Sequence, residues 1–105
     1  MIRRKALADW TNDTVATVLT MVKTDLGIKA TAYDARLTQY VNSAKKAIVR
    51  EGVKTLSDDV EDMQLVAMYA GWLWRKRDTG DGMPRNLRWM LNNRIFSEKA
   101  GESDG

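Results

Sequence analysis

Carboxylates are the residues best suited to chemistry in this sequence, because its 105 residues include no histidine and no cysteine. Imidazole is the usual proton shuttle at neutral pH, and imidazole and thiolate are the usual ligands of zinc. Catalysis by a nucleophile paired with histidine is therefore excluded, together with most zinc sites. No other arrangement of catalytic residues is recognisable. We therefore expect a protein that is not an enzyme and that takes no cofactor, metal or small-molecule substrate.

Two groups of carboxylates could be taken for known sites. Asp78-Thr79-Gly80 spells the catalytic triplet of aspartic proteases, in which two copies on loops between apolar strands share a proton. Here the triplet follows Arg75-Lys76-Arg77, and it indicates an ordinary helix end and turn. The second group is an acidic run, Asp58, Asp59, Glu61 and Asp62. Consecutive helix positions do not converge on one ion, so this run indicates a helix N-terminus rather than a metal site.

The chain carries a formal net charge of +3, which is low for a protein dedicated to binding nucleic acid. The charges are unevenly placed, because the acidic run precedes a basic half that contains Arg75, Lys76, Arg77, Arg85, Arg88 and Arg94. Arg85 and Arg88 lie three residues apart, beside Trp89. This cluster could hold DNA phosphates, pair with acidic residues of a neighbouring subunit, or form a solvated face, and the sequence leaves all three open.

The elements that must position these residues are helices. The first is expected to begin near Thr11 or Asn12, either of which could cap it, and to end at Gly27. The second has an opening similar to a capping box at residues 31–34 and ends at Gly52. Their buried stripes are predicted to be Val15, Val18, Leu19, Val22 and Leu26, and then Leu37, Tyr40, Val41, Ala44 and Ile48.

The third and fourth helices follow the same rules. Ser57 is the expected N-cap of the third helix, the acidic run lies in its first turn, and the basic residues 75–77 close it. After a loop at residues 80–82, Pro84 is expected as the first residue of the fourth helix, whose apolar face is Leu87, Met90, Leu91 and Ile95. No strand is predicted. We expect one all-α domain over residues 1–100, a compact bundle of about four helices, followed by a disordered tail at residues 101–105.

The third helix is unusual because residues 65–74 are apolar on every side. A surface helix needs only one apolar stripe, so this one must be buried all round. It is either the central column of the bundle or is shared between the monomer core and a neighbouring subunit. Trp72 and Trp74 point roughly 200° apart on an ideal helix, so one face cannot bury both. With Trp10 and Trp89 they make four tryptophans, which favours self-assembly because tryptophan is enriched at interfaces.

Three further expectations follow from the same segment and from the start of the chain. Gly71 costs a helix about 1 kcal/mol relative to alanine, which predicts that another backbone approaches closely there. Residues 65–74 fall short of the roughly 20 apolar residues that cross a bilayer, so no transmembrane helix is expected. No long apolar segment follows the basic residues 3–5, so a secretory signal is not expected either.

The order of these segments resembles one known family. Residues 21–28, MVKTDLGI, resemble the V-K-x-x-L-x-I element of tailed-phage head–tail connector proteins. That family continues with a helix of the form D-x-x-L-x-x-x-I-x-x-A-x-x-x-I, whose places are taken here by Asp34, Leu37, Val41, Ala44 and Ile48. A helix that opens with acidic residues and is rich in Ala, Tyr and Trp matches residues 59–74, and an M-P loop with a closing helix matches residues 83–91. The similarity covers residues 15–96.

The resemblance implies a structural subunit that assembles as a ring below the portal of a filled capsid. The ring extends the DNA channel and joins the next connector or the tail protein, and DNA passes through it without being read. Such a protein would occupy the host cytoplasm during assembly and then the head–tail junction of the virion. The resemblance implies no catalytic residue. Gly27 departs from the family, which often has a polar or basic residue there, and the C-terminal tail is short.

The expected interface with a neighbouring subunit or the portal combines the tryptophans with the split charge. We expect burial at subunit contacts of Trp72, Trp74 or Trp89, and ion pairs from Arg85 and Arg88 to a neighbour's Asp58, Asp59, Glu61 or Asp62. The alternative is a small helical DNA-binding protein, such as the recognition subunit of a packaging motor. It would need a turn that presents a basic face to DNA, and the loop at residues 80–84 is poorly suited to that role.

Overall fold

The apolar periodicity of the sequence produces four α-helices in residues 10–103, the part of the chain that this computed structural model describes. They are α1 (Asn12–Leu26), α2 (Asp34–Glu51), α3 (Val60–Thr79) and α4 (Arg85–Ser103). No strand occurs within the described range. The predicted all-α class and the number of helices are confirmed. The predictions for residues 1–9 and 104–105 lie outside the described residues.

The ends of α1 follow from local chemistry as predicted. Thr11 is the N-cap, and its Oγ1 accepts a hydrogen bond from the Thr14 N–H at 3.2 Å. At the other end Gly27 has φ 71°, a left-handed conformation that glycine adopts without a steric penalty. Its N–H donates to the carbonyls of the last turn, so the helix ends with satisfied backbone groups.

The predicted start of α2 was wrong by two residues, because the expected N-cap was Thr31 and the observed N-cap is Tyr33. The helix begins at Asp34 after the N-cap Tyr33, with no side-chain capping bond, and Thr31 contributes only its carbonyl to the preceding turn. The Asp34 carboxylate instead pairs with the Lys23 Nζ of α1 at 2.7 Å. A bond to an ammonium group is stronger than one to a neutral N–H, which explains why Asp34 does not complete a capping box. The predicted stripe is fully buried at Leu37, Val41, Ala44 and Ile48, and Tyr40 is half-buried.

The predicted N-cap of α3 also needs correction. Asp59 is the N-cap, and Ser57 lies two residues before it. The Ser57 Oγ accepts a hydrogen bond from the Asp59 N–H at 3.2 Å and donates one to Asp62 Oδ2 at 2.9 Å. Ser57 therefore closes a turn before the helix. The acidic run is divided, with Asp58 before the helix and Glu61 and Asp62 in its first turn.

Helix α3 is the central element, as predicted. It packs against α1, α2 and α4, and its residues 65–67 and 69–71 are buried. Helix α4 packs mainly on α3 and touches α1 and α2 little. The molecule measures 44 × 30 × 18 Å, so its thinnest dimension is close to two helix diameters. The result is a flat bundle in which α4 is the least enclosed helix.

Helix α4 begins at Arg85, one residue later than predicted, and Pro84 lies immediately before it. The Pro84 carbonyl accepts a hydrogen bond from the Arg88 N–H at 3.0 Å, which starts the helical ladder. Leu87 and Leu91 are buried in the core, while Met90 and Ile95 are half-buried. The helix continues to Ser103, three residues into the segment for which a disordered tail was predicted. In the described range no helix is both long and apolar enough to cross a membrane.

Candidate functional site

Trp72 is held in place by its own chain. Its ring packs edge-on against Tyr69 with centroids 5.3 Å apart, and its Nε1 donates to the Asp81 carbonyl at 3.2 Å. The Lys76 Nζ lies 4.4 Å from the centre of the same ring. These contacts join α3 to the loop that follows it, so Trp72 has a structural role within the monomer.

Trp74 packs on a different side, at the start of α2. Its ring makes edge contacts with Tyr33 and Tyr40, at centroid distances of 5.4 and 5.9 Å. The Arg77 guanidinium lies 3.5 Å from the centre of the Trp74 ring. The two tryptophans therefore have separate partners, as their spacing predicted. Two of the three basic residues that close α3 are already stacked on tryptophan rings.

The third tryptophan of the predicted interface, Trp89, lies at the surface with 67 % of its area exposed. Phe96, which is not among the predicted interface residues, is 74 % exposed. The two side chains are seven residues apart, so they lie on one face of α4, about 10 Å apart along the axis. A signal for Phe96 was present, because it is a large apolar residue outside the stripe of Leu87 and Leu91.

Basic residues surround this aromatic pair. We define the α4 outer face by the residues that share this side of the helix, namely Arg85, Arg88, Trp89, Asn92, Phe96 and Lys99. The Arg88 Nη1 pairs with Glu51 of α2 at 3.2 Å, whereas no described residue makes a hydrogen bond or ion pair with the exposed Arg85. The only carboxylate among residues 85–101 is Glu98, which is buried. The α4 outer face is therefore both aromatic and cationic.

The predicted acidic partner set is only partly at the surface. Asp59 and Glu61 are exposed and Asp58 is half-exposed, but Asp62 is 2 % exposed. Asp62 Oδ2 accepts hydrogen bonds from the Ser57 N–H at 2.7 Å and from its Oγ, and Asp62 Oδ1 accepts one from Arg94 Nε at 2.8 Å. Asp62 was therefore wrongly included among the residues that meet a neighbour, because its carboxylate is buried and bound within the chain.

A buried polar network surrounds Arg94 and was missed in the sequence. Arg94 lies between Asp62 and Glu98, with its Nη1 3.7 Å from Glu98 Oε1, and its Nη2 donates to the Thr55 carbonyl at 3.1 Å. Glu98 Oε1 accepts bonds from the Thr55 N–H and Oγ1 at 2.7 and 2.8 Å. The sequence contained a signal for this network, because residues 94 and 98 continue the helix face of Leu87 and Leu91 and are therefore expected to be buried.

The pKa of Glu98 reflects this environment. Burial alone would raise the pKa of the carboxyl group, but the hydrogen bonds from Thr55 and the charge of Arg94 outweigh it. The pKa of Glu98 therefore lies below its ordinary value of 4.5, and the group is ionised at neutral pH. The network joins α4 to the loop before α3, and it has the character of a structural ion cluster.

No described group of carboxylates has the arrangement of a metal site. At Asp78-Thr79-Gly80, Gly80 caps α3 and the Thr79 Oγ1 accepts a hydrogen bond from the Asp81 N–H at 3.2 Å. The triplet is therefore a helix end and turn, as predicted.

A cleft runs along α3 between α1 and α4, which touch each other little. It consists of three adjoining cavities of about 460, 450 and 350 Å³. Gln64 and Met90 line both the first and the second cavity, and Ala67 and Met68 line both the second and the third. Gly71 continues the floor, and a Cβ atom added there would meet no atom within 4 Å. We call this feature the α3 cleft.

The open space at Gly71 contradicts the predicted close approach of another backbone, because no other backbone of the described chain approaches that glycine.

Comparison of the whole chain with family models, with curated proteins and with solved structures gives no significant match.

Proposed function

We propose that this chain is a structural head–tail connector subunit of a tailed phage or prophage. It would assemble as a ring below the portal, extend the DNA channel and join the next connector or the tail. The support for this function is the order of the connector-like segments along residues 15–96, now joined by an exposed surface suited to protein contacts.

The observation that carries the assembly part of this proposal is the exposure of Trp89 and Phe96 on the α4 outer face. Large aromatic side chains are costly to leave in water and are enriched at the centres of protein interfaces. The monomer core is filled by other residues, and neither ring is needed there. Arg85 supplies a charge beside the rings that an acidic neighbour could neutralise.

Some of the residues expected at the interface are engaged or buried within their own chain. Trp72 and Trp74 are largely engaged by their own chain, and Arg88 pairs with Glu51 of its own chain. The assembly contact therefore falls mainly to Trp89 and Arg85. The acidic partners are reduced to Asp58, Asp59 and Glu61, since Asp62 is buried.

The test is capture of the portal protein encoded in the same genome. The two proteins would be coexpressed with an affinity tag on the portal, and the bound fraction would be compared for the wild type and the Trp89→Ala variant. We expect stoichiometric capture of the wild type and clearly weaker capture of the variant. A genome without a portal gene, or a portal that captures neither protein, would contradict the connector function.

A small DNA-binding protein is the second candidate, favoured by the cationic character of the α4 outer face. If the face binds DNA through its phosphates, the affinity for DNA should fall steeply as the salt concentration rises. A gel-shift assay on duplex DNA separates the candidates, because tight binding that weakens steeply with salt and is lost in Arg85→Ala would favour DNA binding over a connector.

A further inference from the structure

The α3 cleft has the dimensions of a site for a helix face. Its floor runs from Gln64 to Gly71, seven residues or about 10 Å along the α3 axis. Its walls are α1 and α4, and its middle is lined by the half-buried side chains of Met21, Met68 and Met90. Methionine side chains adapt to different apolar partners and make favourable contacts with aromatic rings. The cleft is therefore suited to aromatic side chains that project from a helix.

The charges on the rim of the cleft indicate the chemistry of its occupant. Glu61 lies at one end of the cleft and Asp25 in the middle, and both are exposed, while Arg75 lies at the far end. An occupant with cations beside its aromatic side chains would meet the two carboxylates. The occupant predicted by this lining is a helix that is aromatic and basic on one face.

The α4 outer face has this composition. Trp89 and Phe96 project from it about 10 Å apart, the same length as the floor of the cleft. Arg85 and Arg88 lie beside them, and the described side chains of the face include no carboxylate. Pairing two α4 outer faces with each other would bring like charges together, which disfavours a symmetric dimer through this helix.

We propose that the α3 cleft receives the α4 outer face of a second copy of this chain. The contact is head-to-tail, because the donating surface and the receiving surface have only Trp89 in common, and such contacts form rings or filaments. Trp89 also lines the first cavity, so it contributes to both sides of the contact. This inference rests on the self-assembly that the proposed function includes, and it replaces the unspecified subunit contact with a defined one.

Cysteine cross-linking tests the contact, since the natural chain contains no cysteine. Met68→Cys places a thiol in the cleft, Phe96→Cys places one on the α4 outer face, and the matched control Ser43→Cys places one on the exposed side of α2. Equimolar mixtures would be oxidised and resolved by non-reducing electrophoresis. We expect at least about tenfold more of the Met68→Cys/Phe96→Cys heterodimer than of either mixture that contains Ser43→Cys, because disulfides need close and well-oriented Cα atoms.

A second pair of variants measures the contribution of the ring. Phe96→Ala should raise the concentration at which half of the protein is assembled by about tenfold, whereas Val60→Ala should leave it unchanged. Val60 is a suitable control because it is 63 % exposed and lies outside both the cleft and the α4 outer face. Circular dichroism of both variants verifies that the helices are intact. Equal effects of the two variants, or equal cross-linking in all mixtures, would overturn the proposed contact.

Portal capture, measured in parallel, separates this inference from the proposed function. Capture of the portal without selective cross-linking would overturn the cleft contact alone. Selective cross-linking without capture of the portal would support the contact and count against the connector function.

Discussion

At the scale of single residues, Arg94 shows how a charged side chain can hold a fold together. It is half-way along α4 on the buried face, and it contacts two carboxylates and the backbone of the loop before α3. Removal of one member of a buried ion cluster leaves the others charged and unpaired, which is costly. Substitution of Arg94 should therefore reduce the stability of the fold more than the loss of one surface charge would.

We predict that Arg94→Met lowers the free energy of unfolding by about 3–5 kcal/mol, because Asp62 and Glu98 would then be buried without their cation. Urea unfolding followed by circular dichroism measures the change. The control is Arg85→Met on the exposed side of the same helix, which should change the free energy by less than about 0.5 kcal/mol. Equal effects of the two substitutions would contradict a structural role for the network.

The lowered pKa of Glu98 predicts an acid-sensitive contribution to stability. A carboxyl group whose folded-state pKa lies below its ordinary value of 4.5 contributes stability above that pH. This contribution is lost as the pH falls through the folded-state pKa. We expect Glu98→Gln to be less stable than the wild type at neutral pH and the difference to shrink below pH 4.5. Urea unfolding over a pH series measures it, and a difference that does not depend on pH would contradict this origin.

At the scale of helices, the tryptophans divide into structural and surface residues. Trp72 contacts Tyr69, Lys76 and the Asp81 carbonyl, whereas Trp89 is two-thirds exposed. We predict that Trp72→Ala lowers the free energy of unfolding by about 2 kcal/mol and that Trp89→Ala changes it by less than about 1 kcal/mol. Thermal unfolding at low protein concentration distinguishes them. A larger loss for Trp89→Ala would show that its ring supports the monomer.

Much of this arrangement of helices could be predicted from the sequence. The stripes of α1 and α2, the central position of α3 and the end of α1 at Gly27 depend on local periodicity and capping, which the chain itself displays. The start of α3 was misplaced because Ser57 closes a local turn, bonding to Asp62 and to the Asp59 N–H, instead of capping the helix. The start of α2 was misplaced because Asp34 pairs with Lys23 of α1, a partner that only the folded chain brings near. Local rules for caps fail when a distant group binds the same side chain more strongly.

The candidate site was predicted less completely than the fold. Arg85 and Trp89, which were predicted as interface residues, are both exposed at the start of α4. Asp62 was misplaced at the surface, because an acidic run at a helix start normally faces solvent and Arg94 lies 32 positions further along the chain. Phe96 was missed, because a single large apolar residue outside a stripe is a weaker signal than a periodic run of apolar residues.

At the scale of the whole molecule, substitutions in the α3 cleft should separate the stability of the monomer from the proposed self-assembly. Gly71 lies on its floor, and a Cβ atom there meets no neighbour within 4 Å. We predict that Gly71→Ala raises the free energy of unfolding by up to about 1 kcal/mol, because alanine favours the helix. We expect Gly71→Leu to preserve the fold while its larger side chain fills the cleft and weakens self-assembly. Urea unfolding and sedimentation measure the two effects, and a destabilised Gly71→Ala monomer would contradict an open cleft.

The proposed function requires that this chain assembles with copies of itself and with a portal. Light scattering behind a sizing column tests it most directly, with the purified chain at several concentrations and with the portal protein of the same genome. We expect a mass that rises with concentration, or a ring that forms once the portal is added, and in both cases a smaller mass for Phe96→Ala. A chain that stays monomeric at every concentration and does not bind the portal would contradict it.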